Sequence, residues 1–279
     1  MSITAAMVVY NEEKRLENAL KSCAWCDEII VVDRNSTDRT REIAARYTKK
    51  IFILDNVEFS PKDNEAWLAH VTGEWIISIT ASDVMHPELA RKLRELTDKQ
   101  DFPYDVIDIP FRRYVLGLET PRSPWYAGLN STVLFRKSAM QINSESVHGA
   151  ISLDSKRHYK ILDSDTAYMY HLTHSSADML MDRHIIYWRA EGRVFPKTKS
   201  LRYPFVDVLK AICRVLVKKR TFLMGWDGVA LSMAYVSYFM MRFVYIWEAR
   251  SGKAPEIYAK IRADIGKAWD AEALLKKSK

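Results

Sequence analysis

The fold of this chain is decided by Met7-Val-Val-Tyr-Asn-Glu-Glu and, one helix length later, by Glu28-Ile-Ile-Val-Val-Asp-Arg-Asn-Ser-Thr-Asp-Arg-Thr. Each segment is a short apolar run that ends in polar residues. Such runs, separated by an amphipathic stretch, are typical of βαβ units that build a parallel sheet. Because ligands of open parallel sheets bind at the carboxyl edge of the strands, the sequence predicts a ligand site beside Asn11 and Asp33.

The first hundred residues continue this alternation of strand and helix patterns. The predicted strands lie near residues 3–9, 28–33, 50–54 and 75–80, and the predicted helices lie near 12–23, 38–47, 61–71 and 87–98. Residues 35–38 offer side-chain oxygens that can cap the second helix. Pro87 fits the first turn of the fourth helix, where the missing N–H is not needed.

The pattern changes beyond residue 100. Shorter, β-like segments follow at 106–110, 132–135 and 167–171, and residues 176–195 are predicted to form an amphipathic helix. Beyond residue 200 basic residues flank apolar ones, and the 14 residues from Gly228 to Met241 carry no charge, fewer than the ~20 that span a bilayer. Two interpretations stay open: a helix pair packed on the domain, or an interfacial anchor whose basic residues face anionic lipid headgroups.

Size and composition are those of a globular protein. The chain has 279 residues, of which 48% are hydrophobic and 28% charged, so it can bury a sizeable core and is not disordered. Its net charge of +7 favours an anionic partner such as a nucleoside diphosphate, an acidic lipid surface or a nucleic acid. Nucleic acid is the least favoured of these, because the sequence lacks the interleaved basic and aromatic motif of a recognised module.

The cysteines and the first residues concern the cellular compartment. Cys23 and Cys26 form a Cys-Ala-Trp-Cys pair where the predicted first helix ends, without a second pair elsewhere. We therefore expect both thiols to be structural. Met1-Ser-Ile-Thr leads straight into a predicted strand instead of a basic segment and an apolar stretch. We expect a cytoplasmic protein, which would lie peripherally at the inner face of the cell membrane if its C-terminal region is an interfacial anchor.

The polar ends of the first two strands resemble the nucleotide-sugar half of family 2 glycosyltransferases, the inverting enzymes of the GT-A fold. The residues that match the motifs of that family are Tyr10, Asn11, Glu12, Asp33, Ser36, Thr37 and Asp38. The resemblance implies an α/β, Rossmann-like, mostly parallel sheet flanked by helices, with a C-terminal helical appendage. We expect a nucleotide-sugar half at 1–100, an acceptor-side half of the same domain at 101–198, and a helical C-terminal region at 199–279 that is membrane-associated if it forms the interfacial anchor.

The resemblance also implies a nucleotide-sugar donor site. Its residues here are Tyr10, Asn11, Glu12, Asp33, Lys62 and Asn64. A carboxylate at Asp33 can accept from the imide N–H of a uracil-like base, although an aspartate there can also cap the next helix. An aromatic ring at Tyr10 can stack on the base, and Lys62 can neutralise a diphosphate or be an ordinary surface lysine.

The sequence departs from the family at its metal motif. Family members usually have Leu-Asp-Ala-Asp-Glu before a Pro-Glu-Leu helix start, and here Thr80 and Ser82 occupy the positions of the two aspartates, followed by Asp83. A hard cation such as Mg²⁺ or Mn²⁺ prefers carboxylate oxygens and stabilises the leaving diphosphate. Three outcomes stay open: metal-weak or metal-independent transfer, a metal site rebuilt around Asp83, or a protein that binds without turnover.

The acceptor side must supply a base that takes a proton from the attacking hydroxyl. Related lipopolysaccharide core enzymes have Val-His-Glu in this region, and His148 keeps the histidine, with Glu145 and Asp154 as nearby alternatives. His171 resembles a family histidine at a strand end. Arg113 belongs to a stretch that mixes arginine with aromatic residues, which favours a phosphate-bearing acceptor or a solvated basic loop.

Three functions are therefore considered. The first is transfer of a sugar, with inversion, from a nucleoside diphosphate donor, most simply a UDP-sugar, to a glycan or lipid-linked acceptor of the cell envelope, as in lipopolysaccharide biosynthesis. The second is a catalytically inactive protein that binds a nucleotide-sugar or a glycan, suggested by Thr80 and Ser82. The third, suggested by net charge alone, is a nucleic-acid-modifying protein.

Overall fold

The computed structural model describes residues 1–55, 63–119, 122–125, 130–142, 151–162 and 166–277, with the backbone alone at 63–65, 130–132, 142, 151 and 270–277. The strands are β1 (Ile3–Val9), β2 (Glu28–Asp33), β3 (Ile51–Ile53), β4 (Trp75–Ser78), β5 (Asp83–Met85), β6 (Val106–Val115), β7 (Asn130–Arg136), β8 (Met140–Ile142), β9 (Ile151–Leu153), β10 (His158–Lys160) and β11 (Met169–Thr173). The helices are α1 (Leu16–Lys21), α2 (Thr40–Ala45), α3 (Asp63–Leu68), α4 (Pro87–Thr97), α5 (Ala177–Val194), α6 (Arg202–Cys213), α7 (Gly225–Ser251) and α8 (Ala254–Lys277).

One mostly parallel sheet organises the molecule, in the order β3-β2-β1-β4-β7-β6-β11-β5, with β10 paired to β6. The pairs within β3-β2-β1-β4 are parallel, and Val9 lies opposite Asp33, so β1 and β2 end level with each other. At the other side of the sheet, β11 pairs antiparallel with β5 and parallel with β6. This pairing puts Asp83, His171 and Arg113 in one row across three strands.

The central strands are apolar because both faces of the sheet are covered. Met7 and Val31 belong to the larger buried cluster on one face, whereas Ile30 and Val32 belong to the cluster on the other. Strands that are buried on both sides lack the alternation of half-exposed strands, which is the pattern of Glu28-Ile-Ile-Val-Val-Asp. The structure confirms the predicted α/β sheet flanked by helices, with further helices at the C-terminal end.

Element bounds differ from the predictions at the helix starts. Strands β1 and β2 have the predicted bounds, but α1 begins at Leu16 instead of residue 12. The reason lies in the turn before it, where Asn11 has a φ of 51° and the Glu12 carbonyl accepts from the backbone N–H of Arg15 and Leu16. Helix α2 similarly begins at Thr40, whose N–H donates to the Asp38 carboxylate at 2.9 Å.

The two cysteines of the Cys-Ala-Trp-Cys pair lie at the end of α1. Cys23 is fully buried in the larger core cluster, and Cys26 is half-buried beside it. Burial raises the pKa of the Cys23 thiol to about 12, so the thiol stays protonated at neutral pH. A protonated, buried thiol is a poor nucleophile and metal ligand, in agreement with the predicted structural role.

Helix α7 packs on the domain through one face. Trp188 of α5 is buried and donates from Nε1 to the carbonyl of Tyr238 at 2.9 Å, and Arg242 pairs with Glu191 of α5. In the described part of the chain, the stretch Thr221–Ser251 is long and apolar enough to cross a membrane by length and composition, and only 11% of its most apolar window is buried. Helix α7 is therefore packed on α5 through one face and exposes an apolar surface on its other faces.

The start of α7 tests how tightly this region is packed. A Cβ at Gly228 would overlap the buried carbonyl of Thr221, whereas a Cβ at Gly266 of α8 meets open space. We predict that Gly228→Ala lowers the free energy of unfolding by ~1–3 kcal/mol through overpacking. The matched control Gly266→Ala lies on an exposed helix and should stay within ~0.5 kcal/mol of wild type. Equal denaturation midpoints of the two variants in urea would contradict the packing described here.

Candidate active site

The site is built on two turns at the carboxyl edge of β1 and β2. Asn11 and Asn35 take left-handed φ values of 51° and 59°, which asparagine tolerates better than other side-chain-bearing residues. The backbone N–H of Asn11 donates to the hydroxyl of Ser36 at 2.9 Å, and the Asn11 side-chain oxygen accepts from the N–H of Thr37 at 2.9 Å. These bonds fasten the first turn to the second.

Asp33, the last residue of β2, also belongs to this hydrogen-bond network. Its side chain is fully buried, accepts from the Ser36 N–H at 3.1 and 3.2 Å and from the Ser36 hydroxyl, and lies 3.3 Å from Nε of Arg41. The structure thus brings Asn11 and Asp33 to the same edge, as predicted, but both side chains bind the turn. Recognition of a base by Asp33 stays a prediction, and it requires the carboxylate to exchange one of these donors for an imide N–H.

A cavity of about 480 Å³ opens beside the two turns. Its volume lies within the usual range for a small-molecule site. The predicted site residues that line it are Tyr10, Glu12, Thr80, Ser82, Arg113 and His171. Residues from both halves of the sheet therefore meet in one place.

The cavity wall is strongly basic. Among the described residues, four arginines line it: Arg15, Arg34, Arg113 and Arg183. Glu12 is buried and accepts from Arg15 at 2.8 and 2.6 Å and from Arg183, so its charge is balanced while it holds both guanidinium groups at the wall. A cavity with this excess of guanidinium groups suits a phosphate-bearing ligand.

Sequence reasoning missed three of these arginines. Arg15 and Arg34 each follow a residue that was singled out, within three positions of Glu12 and directly after Asp33, so motif position could have indicated them. Arg183 lies on α5, 171 positions from Glu12, and only the tertiary fold brings the two together.

The row across β5, β11 and β6 provides a second polar wall. Asp83 is buried, accepts from the N–H and the hydroxyl of Thr80 at 2.7 and 2.9 Å, and lies 2.6 Å from Nδ1 of His171. The His171 side chain lines the cavity and is 30% exposed, so the ring can be reached by a ligand. A carboxylate on one ring nitrogen fixes the orientation of the imidazole.

These residues do not fit a divalent cation in the way that paired aspartates do. Thr80 and Ser82 present hydroxyls that lie 2.8 Å apart, and both oxygens of Asp83 already have partners. Within the residues that the structure describes, no group of three His, Cys, Asp or Glu side chains could hold a metal ion. Hard divalent cations require several oxygen ligands, preferably carboxylates.

Several predicted residues fall elsewhere. Lys62 and His148 lie outside the described residues, as does Glu145. Asn64 belongs to α3, for which only the backbone is described at this position. Asp154 follows β9, is exposed and accepts from Gln141 at 3.2 Å, away from the cavity lining. The roles predicted for Lys62, Asn64 and His148 stay predictions.

The mostly parallel sheet flanked by helices, with a basic cavity at the carboxyl edge of its strands, matches the GT-A architecture. Residues 4–152 match the model of Glycosyl transferase family 2, and the chain belongs to this family. The solved structure of S. aureus TarS residues 1–349 in complex with UDP-GlcNAc is similar to it, with a TM-score of 0.51, 17% identity, and coverage of 90% of this chain and 92% of that chain. This similarity shows the GT-A fold.

Two curated proteins are also similar over part of their length. A TPR repeat-containing protein of Synechococcus elongatus is 33% identical over 101 residues, which are 36% of this chain and 25% of that protein. An uncharacterized glycosyltransferase of Mycoplasma pneumoniae is 26% identical over 123 residues, which are 39% of this chain and 40% of that protein. The matches thus span less than half of each relative.

The Asp33 network makes a prediction about stability. Asp33→Ala removes the acceptor of the Ser36 N–H and hydroxyl and leaves Arg41 without this carboxylate, so we predict a loss of ~2–4 kcal/mol in the free energy of unfolding. The control Asp101→Ala changes an exposed aspartate and should stay within ~0.5 kcal/mol of wild type. Urea denaturation followed by circular dichroism measures both, and an Asp33→Ala variant as stable as wild type would show that the turn does not depend on this carboxylate.

Proposed function

We propose that this protein transfers a sugar, with inversion, from a nucleoside diphosphate donor, specifically a UDP-sugar, to a glycan or lipid-linked acceptor. The observation that carries the proposal is the arginine-lined cavity at the carboxyl edge of β1 and β2. A diphosphate has several charged oxygens and can therefore pair with more than one guanidinium group. TarS, which has the same fold, has been solved with UDP-GlcNAc, and this supports a uridine nucleotide.

The proposed division of labour follows the chain. Residues 1–100 would bind the nucleotide, with Tyr10 stacking on the base, and residues 101–198 would complete the site from the acceptor side. Arg183 of α5 binds Glu12 beside β1, and this contact between the two halves supports a shared site. His148 remains the proposed base for the acceptor hydroxyl, and Lys62 and Asn64 remain proposed donor contacts.

Stabilisation of the leaving diphosphate is assigned to the protein's own cations. The arginines that Glu12 holds at the wall, together with Arg34 and Arg113, can meet the charge that develops on the diphosphate as the bond to the sugar breaks. Asp83 would orient His171 toward the same region. We therefore propose transfer that is metal-weak or metal-independent, in place of a site rebuilt around Asp83 with Mg²⁺ or Mn²⁺.

A second candidate function is a nucleotide-sugar-binding or glycan-binding protein without turnover. Hydroxyls at Thr80 and Ser82, where family members usually have aspartates, favour it. Calorimetry with UDP, with Mn²⁺ or with EDTA, followed by measurement of the UDP released by hydrolysis of a panel of UDP-sugars, in which water takes the place of the acceptor, separates the two. Release of UDP in EDTA supports the transferase, and UDP binding without release in any metal supports the binder.

Arg183 gives a sharper test of the donor site. Arg183→Ala removes a guanidinium from the wall and uncovers the Glu12 carboxylate, so we predict UDP binding that is ~10- to 100-fold weaker. The control Arg189→Ala removes the same charge from an exposed position of the same helix and should leave the affinity unchanged. Isothermal titration in EDTA measures both, and equal affinities for UDP would refute the arginine site.

We also propose that the protein lies peripherally at the inner face of the cell membrane, where an envelope acceptor would be reached. The segment from α6 to the start of α7 exposes Phe205, Leu209, Leu216, Phe222, Leu223 and Trp226. Lys210, Lys218 and Arg220 lie in the same segment. Exposed apolar side chains interleaved with basic ones suit an anionic lipid surface.

Vesicle binding tests this surface. The double variant Phe222→Ser/Leu223→Ser should reduce partitioning onto vesicles of phosphatidylcholine and phosphatidylglycerol by ~10-fold or more, because two apolar side chains no longer enter the interface. The control Ile53→Ser/Leu162→Ser alters exposed apolar residues elsewhere and should partition like wild type. Cosedimentation measures the partitioning. Equal binding of the two double variants would show that this segment does not contact the membrane.

A further inference from the structure

A second cavity, of about 610 Å³, adjoins the first. It lies among α5, α6 and α7, and Trp125, His174 and Tyr187 line both cavities. His174 follows β11 with a left-handed φ of 52°, a conformation that is held only when the surrounding structure imposes it. The function proposed for the first cavity uses neither the second cavity nor the residues at the junction.

Aromatic rings form much of the second cavity's wall. Trp125 and Tyr235 meet edge to face with ring centroids 5.1 Å apart, and Phe239 lies 5.2 Å from Tyr235 and 5.3 Å from Tyr238. Tyr235, Tyr238 and Phe239 all come from one face of α7 and all line the cavity. Rings that are braced by one another in this way form a rigid apolar surface without immobilising flexible side chains.

Polar groups form the rest of the lining. Glu191 accepts from the Tyr238 hydroxyl at 2.7 Å and pairs with Arg242, and Arg242 donates to Asp207 at 2.8 Å. Burial is the main cause that lowers the pKa of His174 and of His184 to about 4, so both rings are neutral at neutral pH and each offers one donor and one acceptor.

This mixture distinguishes between two kinds of occupant. An aliphatic lipid chain would cover the carboxylates of Glu191 and Asp207 and the guanidinium of Arg242 without giving them hydrogen bonds, which is unfavourable. A sugar ring has apolar C–H faces that pack on aromatic rings and hydroxyls that bind carboxylates, guanidinium groups and imidazoles. The lining therefore favours a sugar.

We propose that the second cavity binds a sugar ring of the acceptor glycan. This inference rests on the proposed function, because it is the first cavity that makes the bound sugar an acceptor. The ring would pack against Tyr235 and Phe239, with hydroxyls directed to Asp207 and Arg242. The shared wall of Trp125, His174 and Tyr187 would then be the place where the acceptor hydroxyl meets the donor sugar.

Binding of simple glycosides to the full chain tests the proposal. A panel of methyl hexopyranosides is titrated by saturation-transfer NMR, in the absence and in the presence of saturating UDP. We expect at least one glycoside to bind in both conditions, because the two cavities adjoin without coinciding. Tyr235→Ala should weaken binding of that glycoside by ~10-fold or more, because the ring face is lost, whereas Tyr235→Phe should keep the wild-type affinity.

Controls keep the outcome specific to the cavity. Tyr203→Ala removes an aromatic side chain of α6 that is 64% exposed and outside the cavity lining, and it should bind the glycoside like wild type. UDP affinity should be the same in all three variants. No binding of any glycoside, equal glycoside binding by Tyr235→Ala and wild type, or competition between glycoside and UDP would overturn the proposal.

Two further outcomes separate this inference from the proposed function. If farnesyl phosphate, and no glycoside, binds in a manner that Tyr235→Ala abolishes, the sugar assignment is wrong and a lipid occupies the cavity. If glycosides bind in a Tyr235-dependent manner but UDP does not bind at all, the sugar cavity stands and the donor site is refuted.

Discussion

The whole edge of the sheet depends on one buried carboxylate and one serine. Ser36 donates its N–H and its hydroxyl to Asp33, and the same hydroxyl accepts from the backbone of Asn11. Because β1 and β2 end level with each other, this arrangement fixes the residues on either side of both turns. Tyr10 and Glu12 are thereby held at the cavity wall from β1, and Arg34 from β2. Without the network, two left-handed turns would lose their mutual support.

The proposed donor site has the positive charge expected of a diphosphate site. Arginine side chains supply this charge, in place of a metal ion held by paired aspartates. The charge of Glu12 is balanced by Arg15 and Arg183. The carboxylate of Asp83 is hydrogen-bonded to Thr80 and His171. The carboxylates of the site therefore bind side chains of the protein itself and hold its basic groups in place. What a ligand meets at the wall is guanidinium and imidazole, so the protein itself supplies the positive charge.

The parts of this site that the sequence predicts are local in the chain. Strands β1 and β2 follow from continuous apolar runs, and the turns follow from Asn11, Asp33 and Ser36 at their ends. The Asp83 to His171 contact joins residues 88 positions apart through the short strand β5, which has only three residues and no pattern of its own. Such long-range pairs depend on sheet order, which periodicity does not encode.

The apolar side chains on several faces of α7 explain why its sequence fitted both a packed helix and an interfacial anchor. Tyr235, Tyr238, Phe239 and Arg242 repeat at spacings of three and four and line the second cavity. Met233, Met240, Val244 and Trp247 lie on other faces of the helix and are exposed. Because the faces toward the cavity and toward solvent are both largely apolar, no polar stripe remains to show which side is inside.

This two-sided helix connects the two proposals. If the segment from α6 to the start of α7 lies on a membrane and the aromatic face of α7 binds an acceptor sugar, α7 would hold the sugar of a lipid-linked acceptor close to the surface where its lipid is anchored. The ion pairs of the half-buried Arg242 with Glu191 and Asp207 hold α7 to α5 and α6. These ion pairs would keep the cavity intact when that segment enters the headgroup region, because they do not involve its exposed apolar side chains.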